Sequence, residues 1–265
     1  MLGQMIAFFA SWFIYPNISW TALLLGIGLA VVFGAVWFAP YWTPILKKPW
    51  AWAILAGSAM LSLVAVTFVQ IPLQVWAGQA LGHFWNQDTI MRWLLLASVP
   101  QILLSGLVQE GSKLVPVVVY WWRSGRNIDP KLGLAIGAVA GLGLGVFEAV
   151  WVHNTVFAFG WTWEAVQTGG LVALAPFWER FFTVAAHIAF SALAGYGLAK
   201  GWGWQFYLLA AFLHGLLNYS VVLLQSGLFT IVHVEIFVAV WAVLVTGGAL
   251  WLRWRKTAEL SEVEV

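Results

Sequence analysis

The sequence predicts an all-α fold: a polytopic transmembrane helical bundle of about seven spans, N-terminus outside and C-terminus cytoplasmic. Three observations carry that prediction. The 265-residue chain is 62% hydrophobic and only 8% charged, with a mean hydropathy of +0.89, whereas a soluble domain carries about 25% charged residues. Its apolar residues fall into seven runs, near 18–38, 50–77, 91–122, 132–159, 171–199, 202–225 and 230–251, and roughly 20 apolar residues cross a bilayer. Its basic residues fall on alternate connections, which orients the chain.

The opening segment 1–15 is apolar but lacks a basic stretch and a small-residue cleavage site, so it reads poorly as a signal peptide. It is too short to span easily and is expected to lie at the interface or re-enter, continuing past Pro16 into the first run. Lys47 and Lys48 follow the first run, Arg123, Arg126 and Lys131 the third, and Lys200 the fifth. Arg253, Arg255 and Lys256 follow the seventh, and the alternate connections hold only Arg92. Tryptophans such as Trp50, Trp121, Trp122, Trp202 and Trp251 sit at run ends, where aromatic rings anchor at the interface. Pro72, Pro100 and Pro116 lie inside runs and are expected to kink them. The tail 256–265 is polar and acidic and is expected to fray, leaving 1–255 as one membrane domain.

The fourth run carries Gly133, Gly137, Gly141 and Gly145 on one stripe, which lets helix backbones approach closely. Glu148 follows on about the same face. Three other runs also carry polar groups deep inside: Glu110 with Lys113, His187, and His214 with Asn218 four residues on. A charge at such depth costs about 2.5–3.5 kcal/mol on insertion scales and is rarely kept without a partner or a task. At a rise of about 1.5 Å per residue, Glu110, His187 and His214 lie roughly 20 Å from the nearest cytoplasmic basic residue, and Glu148 roughly 25 Å. Four helices therefore bring two carboxylates and two imidazoles to one layer. Glu179, Arg180, His153, His233 and Glu235 read as an outer rim of structural pairs. The absence of cysteine excludes disulfides, thiolate metal sites and a cysteine nucleophile.

In this order the residues resemble the PrsW and YhfC intramembrane metalloprotease families and, more distantly, the CAAX prenyl protease and bacteriocin-processing clan. Gln109–Lys113, QEGSK, is similar to the family's EExxK; GLGLGVFEA supplies the glycine-rich helix ending in Glu148. ERFFTVAAHIAFSALAGYGL carries the internal His187, and HGLLN carries His214 and Asn218. The resemblance covers about 106–219, within a catalytic-like core of about 91–226. It implies hydrolysis of a membrane-embedded protein or peptide substrate in a prokaryotic cytoplasmic membrane, with no nucleic-acid partner. Two histidines and a glutamate suit Zn2+ or another divalent metal with an open position for water. On this reading His187, His214 and one of Glu110 or Glu148 hold the metal or a water. The other glutamate is the general base, Asn218 donates to the oxyanion, and Lys113 tunes Glu110 or is its ion-pair partner. A metal-free mechanism uses the same residues.

One position departs from the pattern. The first acid of the pair is Gln109, and in CAAX-protease relatives that acid is associated with water activation. The departure favours an alternative, a non-catalytic scaffold or pseudoprotease of the same fold. A proton or ion pathway through the carboxylate–histidine layer is a third reading.

Overall fold

The computed structural model describes residues 1–15, 17–41 and 44–255. Pro16, Lys256 and the tail 256–265 lie outside the described residues. Among the described residues every regular element is helical. The helices are α1 (Leu2–Ser11), α2 (Trp20–Phe38), α3 (Pro49–Phe84), α4 (Val99–Arg123), α5 (Pro130–Ala158), α6 (Ala175–Ala199), α7 (Gly203–Gln225) and α8 (Ile231–Trp254). Seven helical stretches, one for each predicted run, are long and apolar enough to cross a membrane.

Local chemistry sets several boundaries. Ser19 caps α2 by accepting from the Ala22 amide, and Asp129 caps α5 by accepting from the Lys131 and Leu132 amides, which satisfies donors left over in the first turn. Thr230 and His233 cap the start of α8 reciprocally. Pro100 sits at the start of α4 rather than within it, a position proline tolerates because its missing donor is not needed there. Pro72 follows a π-helical turn, Val66–Gln70, inside α3. Proline removes one backbone bond and crowds the carbonyl four residues earlier; the wider turn accommodates both.

The opening segment does not run on into the first span. α1 is a separate helix, and Trp12 after it stacks on Trp151 of α5 with centroids 4.4 Å apart. The short helix Trp163–Gly169 and the turn Gly170–Leu174 link α5 to α6.

The core centres on α5 and α6, which pack chiefly on each other, with α2, α3, α4, α7 and α8 around them. The glycine stripe is the reason they meet so closely. A Cβ added at Gly141 would lie 2.2 Å from the His187 carbonyl oxygen, and the obstacle is backbone that cannot swing away. Gly106 does the same between α4 and α7, where a Cβ would lie 2.1 Å from the Ala211 carbonyl oxygen. These two contacts set the spacing of the helices that carry Glu110, Glu148, His187 and His214.

Gly141→Leu should therefore force α5 from α6 and destabilise the protein by about 1–3 kcal/mol or more. Gly247→Leu, at a site with nothing within 4 Å, should leave the thermal unfolding midpoint in detergent unchanged.

Candidate active site

Glu110 and Lys113 lie three residues apart on one face of α4, and both are 0% exposed. Lys113 Nζ donates to Glu110 Oε1 at 2.5 Å. A second partner for that oxygen comes from α7, where His214 Nδ1 lies 2.7 Å away. Ser191 of α6 donates to Glu110 Oε2 at 3.4 Å. The carboxylate is thus held from three helices.

His187 joins the same cluster. Its Nδ1 lies 3.3 Å from Lys113 Nζ, and its Nε2 lies 2.8 Å from Glu148 Oε2. An ammonium only donates, so Nδ1 accepts and the ring proton sits on Nε2, aimed at the Glu148 carboxylate. The His187 and His214 rings meet edge to face with centroids 5.1 Å apart, and Phe190 stacks on His214. Both histidines are buried, whereas the Glu148 side chain keeps 21% exposure.

The structure thus joins Glu110, Lys113, Glu148, His187 and His214 through direct contacts. Asn218 is one shell out and donates to Ser105 Oγ at 2.9 Å. Gln109 Nε2 donates to the same oxygen at 3.3 Å and to Gln70 Oε1 at 3.1 Å. The side chain of Gln109 therefore points toward α3, while its neighbour Glu110 points at the histidines. Adjacent helical residues project about 100° apart.

One part of the outer-rim reading requires correction. Arg180 donates to Glu148 Oε1 at 3.2 Å and also pairs with Glu179, so it belongs to the charge layer. Its long side chain carries the guanidinium inward from a backbone position two turns away from His187. The rim histidines stand apart from this layer: His153 Nδ1 lies 3.1 Å from the Gly26 carbonyl oxygen, and His233 caps α8. Ser105, Ser191 and Gln70 were not anticipated, since isolated serine and glutamine give no signal in an apolar run.

The donor set can be tested against a metal. One ligand atom from each of Glu110, His187 and His214 lies within 4.8 Å of the others. A tetrahedral sphere with bonds of about 2.0–2.2 Å holds its ligands roughly 3.3–3.6 Å apart. Rotamer adjustments of about an ångström would close the gap, and the donor types fit a divalent ion. The Lys113 ammonium, in contact with Glu110 and His187, is the competing cation.

The comparison with known families turns on this same region. The family model described as PrsW family intramembrane metalloprotease matches residues 47–245. The chain belongs to the PrsW family. It is accordingly an integral, multi-pass membrane protein of an intramembrane metalloprotease family. The matched residues include Gln109, Glu110, Lys113, Glu148, His187, His214 and Asn218. No curated protein and no solved structure matches the chain.

Removing the Glu110 carboxylate leaves Lys113 buried without its ion partner, a change that costs about 3–5 kcal/mol. Glu110→Ala should therefore unfold at markedly lower denaturant than wild type. Lys113→Met together with Glu110→Gln should recover most of the loss, because no lone charge remains.

Proposed function

We propose that the Glu110–Lys113–His187–His214–Glu148 layer hydrolyses peptide bonds of membrane-embedded substrates. The observation that carries this reading is the grouping of Glu110, His187 and His214, with one ligand atom of each within 4.8 Å of the others, buried at the crossing of α4, α6 and α7. His187, His214 and Glu110 would hold a divalent ion, with zinc the best match to two imidazoles and a carboxylate. Such an ion would supply an acidified water, with a pKa of about 7, and an electrophile for the scissile carbonyl.

The protein's own groups divide the remaining work. Glu148 is the more exposed carboxylate, and it accepts the proton of the attacking water while Arg180, 3.2 Å from its Oε1, holds it in place. The water oxygen bonds to the carbonyl carbon, the carbon–nitrogen bond breaks, and the same proton passes to the departing amine. Asn218 has a second amide hydrogen beyond the one given to Ser105, and it serves the oxyanion. Lys113 balances the Glu110 charge. The basic residues on alternate connections support an external N-terminus and a cytoplasmic C-terminus for this arrangement.

The direction of Gln109 bears on the alternative of a non-catalytic scaffold. Its amide contacts Gln70 and Ser105 rather than the carboxylate–histidine cluster, so the missing acid does not empty this site. Elemental analysis of protein purified without chelators should give about one zinc per chain, lost in His187→Ala and His214→Ala. Cleavage of a single-span substrate in vesicles should fall by about 10²–10⁴-fold in Glu148→Gln. Gln109→Ala should stay within about tenfold of wild type, well short of the loss of an acid–base group. If Gln109→Ala matches Glu148→Gln, the assignment of the base is wrong; retained zinc in both histidine variants would overturn the ligand set.

A further inference from the structure

A cavity of about 540 Å³ opens among α6, α7 and α8 at the end of the bundle opposite Lys200, roofed by Trp161 and the segment before α6. Its wall includes Thr183, one turn before His187, and Asn218, one turn after His214. It therefore comes within about one helical turn of His187 and His214. The larger cavity of about 650 Å³ among α2, α3 and α5 is lined almost wholly by apolar side chains and touches none of the site residues.

The charges on the first cavity share one sign. Glu179 and Glu235 line it, and among the described residues no basic side chain does. Glu179 is held by Arg180, which must also serve Glu148, so one cation faces two carboxylates there. One oxygen of Glu235 is buried with no hydrogen-bond partner, an arrangement that costs free energy unless a donor arrives. Around it the wall is apolar, with Leu217, Val221 and Val238, which suits a polypeptide's aliphatic stem.

We infer that this cavity admits the substrate chain and that Glu235, with Glu179, selects a lysine or arginine flanking the scissile bond. Glu179 lies eight residues before His187, about 12 Å along α6. An extended chain advances roughly 3.3 Å per residue, so the cation sits about three to four residues from the bond cut. Its aliphatic stem lies along the apolar wall and its charged head reaches the carboxylates. The inference deepens the hydrolytic reading above and rests on it for the meaning of "scissile".

The test uses synthetic single-span peptides with a photo-crosslinker, in phosphatidylcholine vesicles with the full-length protein. The peptides differ only in carrying Lys, Gln or Glu at the position three to four residues from mid-span. Wild type should cross-link the Lys peptide about tenfold better than the Glu peptide, as expected for a partly desolvated charge pair. Glu235→Gln should shrink that ratio toward one and Glu235→Lys should invert it, with both variants melting like wild type. Equal cross-linking of the three peptides by wild type, or an unchanged ratio in Glu235→Gln, overturns the inference. So does loss of all peptide cross-linking when phosphatidylethanolamine is added to the vesicles, which would make the cavity a lipid site. Cleavage is read separately by mass spectrometry. Charge preference without any cleavage supports the subsite and counts against hydrolysis, whereas cleavage without charge preference does the reverse.

Discussion

The rest of the bundle answers to one constraint, an ion pair that has no water. Glu110 and Lys113 are both fully buried on a helix long enough to span the bilayer. Two charges taken out of water lose several kcal/mol of hydration each, and mutual attraction repays this only when the remaining lone pairs and protons are also satisfied. The surrounding helices supply those partners: His214 from α7, Ser191 and His187 from α6, and through His187 the Glu148 of α5. Each contact demands that a backbone approach closely, and the small residues at Gly106 and Gly141 are placed where that approach occurs. The packing of the core and the arrangement of the polar layer are thus a single solution.

Much of this was legible in the chain. Depth along a helix is linear in residue number, so counting from basic anchors placed the two acids and two histidines in one layer. The structure joins them by contacts of 2.5–3.3 Å. The same ruler misplaced Arg180, because it measures Cα position while a guanidinium reaches several ångströms along the helix. Serines were missed for a different reason. Ser105 and Ser191 matter through what they touch across helices, and sequence spacing carries no information on cross-helix contact. The π-helical turn in α3 was also invisible, since Pro72 alone reads as a kink and not as a widened turn.

Gln109 and Glu110 are neighbours in one motif but belong to different parts of the bundle. Side by side in sequence, Gln109 and Glu110 look like an altered pair of acids. In the bundle they serve different neighbours: one amide ties α4 to Gln70 at the π-helical turn and to Ser105, and one carboxylate faces the imidazoles. Ser105 accepts from both Gln109 and Asn218, so the substituted position is still connected to the site through a neutral link.

The contact between Gly141 and the His187 backbone has a mechanical consequence. Because a carbonyl of α6 rests in the notch left by a missing side chain on α5, these two helices can neither slide nor separate cheaply and behave as one stiff plate. Close-packed interfaces of this kind switch between discrete arrangements rather than deforming continuously. Any opening of the bundle must then fall on helices outside this pair. The plate holds His187 and Glu148, 2.8 Å apart, in fixed relation whatever the other helices do.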